Sequence, residues 1–400
     1  MVLPQDGLQA FKAETVRGTP GFFRVGQTQA GSWWLLAPDD RPFFAAAVNG
    51  VEAVSESPLD PVARLRSWGF NALGAGAAAV NREEGLPFVA TVDFSQAVPL
   101  IRSHGVRLPD VFDPAWTTAT QQRAEAICPS LASRTDLLGW LSDDELGWGG
   151  CDRTGRPSLL QVCLSLEPSF AAYHAAWEFV LALYGGQLPR LAKAWGCTWD
   201  NKAVVRELTR SEQGLVTPGY LRDAASWTRE FARRYFAATS AAIRTHDHHH
   251  LVFGARHATA DTDRSTANEW FKECGFPVVD VAWAPSDALG IGAGGPVFAG
   301  NFSWASETYW ALPARSRARG VTSLERMMRQ GRARLRATIA HPAVVGYAWN
   351  RWRDAPSEQP PFARGLVHPN GAEAREHTEL LTEINRRIPT LRALSARASV

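Results

Sequence analysis

Three consecutive acidic residues, Asp143, Asp144 and Glu145, are the part of the sequence best suited to chemistry. They directly follow the apolar run LLGWL, and Trp148 lies close behind them. Side chains alternate along a strand end, so Asp143 and Glu145 should point one way and Asp144 the other. Crowded carboxylates in a poorly solvated place have at least one raised pKa, and an acid that stays protonated near neutral pH can protonate a leaving oxygen. The alternative interpretation is a helix N-cap within a solvated turn.

The elements that must position these acids are eight short apolar runs that alternate with segments of helical spacing. Nearly continuous apolar strands of this kind are typical of a parallel sheet whose outer face is covered by helices. Eight such units predict an α/β fold, a closed (β/α)8 TIM barrel, with an open doubly wound sheet as the alternative. The runs are residues 43–50, 70–76, 87–94, 137–145, 250–257, 277–285, 296–304 and 344–352.

The predicted barrel takes up most of the chain. Residues 1–42 include an alternating hairpin pattern at 20–36 that leads into the first strand, and residues 43–400 form the barrel. Glycine-terminated helical patterns at about 150–215 predict a helical insertion after the fourth strand.

In barrels of this type the active site lies at the carboxyl ends of the strands, so the last residues of each predicted strand are the candidate site. The set is polar and aromatic, and indole faces stack on the apolar faces of sugar rings, although tryptophans also fill cores. It suits an uncharged, hydroxyl-rich ligand. The candidate substrate-binding residues are Asn49, Asp93, Asp143, Trp148, Arg256, His257, Trp283, Asp287, Asn301, Trp304, Trp349 and Trp352.

The composition excludes several classes of function. The 400 residues carry a net charge of +2, which indicates neither a nucleic-acid nor an anionic-membrane partner. No apolar stretch reaches the ~20 residues that span a bilayer, and the N-terminus lacks a signal-peptide pattern, so we expect a cytoplasmic protein. The five cysteines are scattered without a CxxC pair, which favours free thiols over disulfides or zinc. We predict no cofactor and no metal, and the sequence does not indicate an oligomeric state.

Three further motifs have simpler explanations. The glycines at 290–295 match a dinucleotide fingerprint but precede a strand instead of a helix, so we interpret them as a loop. The histidine tract 246–250 lies at the helix-to-strand junction on the opposite face of the predicted barrel, where histidines favour the helix C-terminus. The arginine-rich segment 315–336 is predicted to be a solvated helix face, because the whole chain is nearly neutral.

The order of several motifs resembles the retaining-glycosidase clan of (β/α)8 barrels, particularly its agarase and β-galactosidase-like branches. The similar segments are WWLLAPDDRPFFAAAVNG, WLSDDELGW, LYGGQLPRLAKAWG, GYAWNRWRDAP and FARGLVHPNG, within residues 20–390. The resemblance implies a glycoside hydrolase acting on β-linked, galactose-type or related sugars, with Glu145 as the general acid/base.

Two positions depart from the pattern of that clan. Asp144 stands where the clan has Asn, and Gly300-Asn301-Phe302-Ser303 stands where the clan has its nucleophilic Glu. Four explanations remain: Glu307 is the nucleophile, Asp144 or another carboxylate activates water with inversion, Asn301 orients a substrate group that itself attacks, or the site binds sugar without cleaving it. An engineered inactivation at position 301 is a further alternative.

The strongest competing function is a non-catalytic carbohydrate-binding barrel, which Asn301 favours and the triple acid disfavours. A third is a lyase or transferase on uronic or phosphorylated sugars, whose acidic groups Arg256 and Arg351 would recognise.

Overall fold

The structure of the protein is a computed structural model that describes most of the chain. The described residues are 7–52, 60–77, 85–144, 146–150, 155–256, 279–282, 295–303, 324–354 and 364–395. In chain order the strands are β1 Arg24–Gln27, β2 Trp33–Leu36, β3 Pro42–Phe43, β4 Ala45–Val48, β5 Ala72–Leu73, β6 Phe88–Thr91, β7 Leu100–Ser103, β8 Val106–Pro109, β9 Leu137–Leu141, β10 Gly147–Trp148, β11 Val252–Gly254, β12 Val279–Ala282, β13 Val297–Phe302 and β14 Val344–Trp349. The α-helices are α1 Pro61–Ser67, α2 Trp116–Ile127, α3 Leu159–Ser165, α4 Ala171–Leu183, α5 Leu188–Ala194, α6 Ala203–Arg210, α7 Pro218–His246, α8 Leu324–Ala340, α9 Arg375–Arg386 and α10 Ile388–Ser395.

The centre of the molecule is a parallel sheet of eight strands in the order β11-β9-β6-β5-β4-β14-β13-β12. The first of these strands in the chain, β4, pairs with the last, β14, so the sheet curls back on itself into a nearly closed barrel. Strands β11 and β12 are the two ends of that order. Each of the eight lies within one of the apolar runs that predicted it, and the mixed α/β class is confirmed.

Alternation along the strands divides the buried residues between two cores. Ala45 and Ala47 of β4 belong to an inner cluster, whereas Ala46 and Val48 pack in an outer cluster against the helices. Successive side chains of a strand point to opposite faces, so a strand that is buried on both faces must be apolar at every position. This is the physical reason why the barrel strands are continuous apolar runs.

The N-terminal hairpin closes the end of the barrel at which the strands begin. Strands β1 and β2 are antiparallel, and Phe23, Val25 and Leu35 belong to the inner cluster. The backbone N–H of Trp33 donates to the carbonyl of Pro342, just before β14, at 2.7 Å. The hairpin thus covers the end of the barrel opposite to the one at which the strands finish.

Five helices, α3 to α7, lie between β9 and β11 in the chain. The longest, α7, has 29 residues and presents an aromatic face that includes Trp227, Phe231, Tyr235 and Phe236, all buried. Among the described helices, none is long and apolar enough to cross a membrane.

A second antiparallel sheet was not predicted from the sequence. Strands β7 and β8 form a hairpin, and β10 pairs with β8 through Gly147 opposite Arg107. The hairpin turns at His104 and Gly105, which both have positive φ, 47° and 80°. Its strands have only four residues each, so the alternating pattern is too short to stand out.

Candidate active site at the carboxyl ends of the strands

A cavity of about 540 Å³ opens where β5, β6 and β9 end, at the mouth of the barrel. This is the end at which barrels of this architecture carry their active sites. Its volume suits a small-molecule or sugar ligand. The described residues that line it are Gly76, Thr91, Asp93, Arg107, Arg123 and Asp144.

Arg256 connects the end of the fourth barrel strand to the seventh. Its Nε donates to Asp144 Oδ1 at 2.5 Å, and its Nη2 donates to Asp144 Oδ2. Its Nη1 donates to the carbonyl oxygen of Gly300 in β13 at 2.6 Å. The Arg256 side chain is only 4% exposed, whereas that of Asp144 is 39% exposed and reaches the cavity. The predicted substrate contact of Arg256 is therefore replaced by a bidentate ion pair that fixes Asp144.

Asn49, at the end of the first barrel strand, is committed to the protein backbone. Its Nδ2 donates to the Gly300 carbonyl at 2.8 Å, and its Oδ1 accepts from the backbone N–H of Ala75 at 3.0 Å. Position 74 has to be glycine, because a Cβ there would lie 2.0 Å from Asn49 Oδ1. Asn49 is buried and holds three strand ends together, which corrects its predicted role as a substrate contact.

Asp143 turns away from Asp144, as the predicted alternation requires, and is fully buried. Its Oδ1 accepts from the backbone N–H of Ser95 at 2.7 Å, and its Oδ2 accepts from the hydroxyl of Tyr235 on α7. Burial raises the pKa of Asp143 to about 7, against the lowering effect of Tyr235 and Ser95. With no exposed surface, Asp143 cannot touch a substrate directly, which corrects its assignment as a binding residue.

Asp93 lines the cavity and shares a side-chain hydrogen bond with Asp143. Its backbone is in the left-handed region, with φ of 62°, a conformation that Asp tolerates better than most residues and that clusters at functional sites. Burial favours the neutral acid, but hydrogen bonds from Ser95, Asp143 and Gln96 outweigh it and lower the Asp93 pKa. The pair therefore has one protonated and one ionised member near neutral pH, since the two environments push the pKa values apart.

Asn301 is half-buried in β13, beside Gly300. The carbonyl of Gly300 accepts from both Arg256 and Asn49, and the carbonyl of Phe302 accepts from the backbone N–H of Asn350 at 2.7 Å. The backbone on both sides of Asn301 is thus held by neighbouring strands. A side chain at this position has a defined place at the barrel mouth.

Three tryptophans that we predicted as sugar platforms are core residues. Trp148 packs on Phe231 and Phe236 of α7 and is 2% exposed. Trp349 and Trp352 have no exposed surface at all. Their indole faces are covered by protein, so they offer no stacking surface to a ligand in this structure.

Six residues of the predicted site lie outside the described residues, and the structure does not place them. They are Glu145, His257, Trp283, Asp287, Trp304 and Glu307. Within the described ranges, no group of three or more His, Cys, Asp or Glu side chains is arranged to hold a metal ion.

Sequence reasoning missed the two basic residues of the cavity, Arg107 on β8 and Arg123 on α2, because neither follows a barrel strand. It also missed Tyr235, which reaches Asp143 from the middle of α7. The polar hydroxyl of Tyr235 within an otherwise apolar helix face was the available signal, since buried Tyr hydroxyls need a partner.

Comparison with known proteins supports the same architecture. No protein-family model matches the chain. A stretch of 215 residues, 49% of this chain, is 25% identical to beta-agarase A of Vibrio sp. (strain JT0107) and covers 21% of that protein. The chain thus spans about a fifth of the length of this relative.

Solved structures are similar over nearly the whole chain. The structure of an exo-β-agarase has a TM-score of 0.68 at 16% identity, covering 96% of this chain and 68% of that one. The agarase AgWH50C has a TM-score of 0.68 at 15% identity, covering 94% and 66%. The chain shares the fold of these agarase structures. A β-galactosidase from Bacillus circulans sp. alkalophilus has a TM-score of 0.51 at 13% identity, covering 87% and 56%.

Proposed function

We propose that the protein is a glycoside hydrolase that cleaves O-glycosidic bonds in a β-linked, galactose-type or related oligo- or polysaccharide. The observation that carries the proposal is the cavity at the carboxyl ends of the strands, with Asp93 and Asp144 among the residues that line it. Agarases and a β-galactosidase of the same fold point to the substrate class. We further propose that β11 and β12 complete a closed (β/α)8 barrel over residues 43–400, after an N-terminal segment 1–42 and with an insertion at about 150–215.

Glu145 is the proposed general acid/base, because it directly follows Asp144, which lines the cavity. It would donate a proton to the leaving sugar oxygen, and in a retaining mechanism it would later take one from the attacking water. Asp144 is held by Arg256 through both carboxylate oxygens, so its proposed part in catalysis is to keep the strand end and the guanidinium in place. This leaves the second catalytic group to another carboxylate.

Glu307 and Asp93 are the candidates for that second group. Glu307 would act as a nucleophile from the loop after β13 and give retention. Asp93, an ionised carboxylate in the cavity, would activate water and give inversion. The anomeric configuration of the first product, followed by NMR, separates the two mechanisms.

A second function, a carbohydrate-binding barrel without hydrolysis, is favoured by one observation. Asn301 occupies the place at which the resembling clan has its nucleophile, and an amide cannot attack an anomeric carbon as a carboxylate does.

Hydrolysis of a panel of aryl β-glycosides and β-linked galactan oligosaccharides tests the proposal. Glu145→Gln should lower kcat on oligosaccharides by about 10²–10⁴-fold, the usual contribution of general acid catalysis. It should affect aryl glycosides with activated leaving groups much less, because they need no proton. Glu178→Gln, an exposed position on α4, is the matched control and should have no effect.

Two results would contradict the assignment. Equal loss on activated and unactivated substrates would mean that Glu145 does not protonate the leaving group. No turnover by the unmodified protein, with oligosaccharides that still raise its Tm, would favour the carbohydrate-binding barrel.

A further inference from the structure

Two arginines line the cavity, and neither is explained by hydrolysis of a neutral sugar. We propose that Arg123, together with Arg107, binds an acidic substituent on the carbohydrate, either a sulfate ester or a carboxylate. This inference rests on the proposed carbohydrate-active function and specifies its substrate class. Both arginines line the same cavity as Asp93 and Asp144.

The guanidinium of Arg123 is held at its Nε, whereas its two terminal amino groups are left for a ligand. Its Nε donates to the carbonyl oxygen of Val92, just after β6, at 3.0 Å. Within the described part of the chain, its two terminal amino groups make no hydrogen bond and no ion pair. A half-buried guanidinium that is fixed through Nε presents those two groups as a rigid fork, the geometry that matches sulfate or carboxylate oxygens.

Arg107 approaches the cavity from the second antiparallel sheet. Its Nη1 donates to the backbone carbonyl of Asp144 at 3.2 Å, which holds the guanidinium beside the cavity. Arg123 comes from a helix and Arg107 from a hairpin, so two independent elements bring positive charge to one wall.

The described residues leave a place for an anion beside Arg123. Arg107 and Arg123 line the cavity together with the carboxylates of Asp93 and Asp144. The carboxylate of Asp144 is already matched by Arg256. Asp143 is fully buried and its pKa is raised to about 7, so it adds little negative charge below that pH.

The competing explanation is that Arg123 only stabilises the Asp93 carboxylate, since the two charges attract. No ion pair within 4 Å joins them among the described residues. Asp93 is instead held by hydrogen bonds from Ser95 at 2.6 Å and from Gln96. The experiment must therefore separate a ligand contact from support of Asp93.

Calorimetric measurement of carbohydrate binding to the 400-residue chain separates a ligand contact of Arg123 from support of Asp93. The probes are a sulfated galactan oligosaccharide, its chemically desulfated form and an oligogalacturonate of equal length. We expect one acidic probe to bind at least tenfold more tightly than the neutral one, and added salt to reduce the difference. The better acidic probe identifies sulfate or carboxylate as the preferred group.

Variants of Arg123 test whether this residue is the cause of the preference for the acidic probe. Arg123→Gln should reduce the affinity for the acidic probe at least tenfold more than it reduces the affinity for the desulfated one. Arg123→Lys should keep only part of the preference, because an ammonium group has the charge but not the fork. Arg102→Gln is the matched control, since Arg102 is exposed on β7 and does not line the cavity.

Equal binding of all three probes, or an acidic preference that survives Arg123→Gln, would overturn the inference. So would an equal loss of neutral and acidic binding in Arg123→Gln, which is the result expected if Arg123 only supports Asp93. The binding assay does not depend on turnover. A protein that selects acidic chains but cleaves none would refute the proposed hydrolase and support this inference.

Discussion

Asp143 and Asp93 share a hydrogen bond between the ends of β9 and β6, one carboxyl fully buried and the other facing the cavity. The buried carboxyl, that of Asp143, also accepts a hydrogen bond from the hydroxyl of Tyr235 on α7. Asp143 thereby links the helical layer to the barrel mouth. Burial raises the pKa of Asp143 to about 7, whereas hydrogen bonds lower the pKa of Asp93, so the proton of the pair resides on Asp143. The buried acid thereby limits the repulsion that the cavity-lining carboxylate would otherwise meet.

The first prediction concerns stability and pH. The pKa of Asp143 is raised from 3.8 to about 7 in the folded protein, so between these values the folded state binds more protons than the unfolded one. Stability should therefore fall as pH rises through this window. Asp143→Asn removes the titration, so its Tm relative to the unmodified protein should increase between about pH 5 and about pH 8. Asp200→Asn, at an exposed position, should show no such change. A Tm difference that does not vary with pH would contradict the assigned protonation state.

The second prediction concerns the Asp144–Arg256 pair. Arg256→Gln leaves Asp144 without its bidentate partner and the Gly300 carbonyl without one of its donors. Because Asp144 is 39% exposed, water moderates the loss, and we expect a destabilisation of about 2 kcal/mol in urea unfolding. Asp144→Asn and the double variant complete a thermodynamic cycle, in which the coupling energy should exceed ~1 kcal/mol. Additivity within about 0.5 kcal/mol would show that the two side chains do not act as a pair.

The third prediction concerns the opposite end of the barrel. The carboxylate of Asp247 accepts a hydrogen bond from Trp140 Nε1 at 2.7 Å and is paired with His250 Nδ1 at 2.6 Å. The other ring nitrogen of His250, Nε2, contacts the Arg134 carbonyl at 2.7 Å. Both ring nitrogens of His250 thus face oxygen atoms of the protein. Burial opposes ionisation of Asp247, but the bonds from His250 and Trp140 outweigh it and lower the Asp247 pKa from 3.8 to about 2.

The stability that Asp247 contributes should therefore be complete above about pH 4 and be lost as pH falls toward 2. Asp247→Asn should destabilise the protein by about 3 kcal/mol at neutral pH, because it removes the buried carboxylate that accepts from Trp140 and pairs with His250. Its effect should disappear in strong acid. Carbohydrate binding by the folded variant should be unchanged, and a loss of binding would show that the two ends of the barrel are coupled.

The barrel strands were predictable from the sequence because burial on both faces requires apolar residues at every position, as in Ala45–Val48. The order of the strands followed from the alternation with helices. The β7–β8 hairpin was not predictable, because each of its strands is four residues long and its turn is His-Gly and not the usual Asn-Gly. Arg107 was therefore missed together with the hairpin that carries it.

The sequence predicted which residues lie at the barrel mouth, but not which way their side chains point. Asp93 and Asp144 reach the cavity, as expected of residues that end barrel strands. Asn49 and Trp349 end strands too, yet both are buried within the protein. Sequence position places a residue at the mouth, whereas strand twist and the packing of neighbouring elements decide whether its side chain faces the ligand or the core. The pairing of Arg256 with Asp144 was not predictable either, because it depends on where the two side chains point.

The last prediction concerns Asn301. Its neighbour Gly300 is fixed by Arg256 and Asn49, so a longer side chain at position 301 would start from a well-defined backbone. If only the nucleophile of the resembling clan has been replaced, Asn301→Glu should create or raise hydrolysis of β-glycosides with retention of configuration, as seen by NMR of the first product. Asn301→Gln has nearly the same size without the charge and should show no gain. A folded Asn301→Glu variant without added activity would mean that the surrounding cavity has diverged as well. A gain of activity with inversion of configuration would indicate that the new carboxylate activates water and does not form a glycosyl-enzyme intermediate.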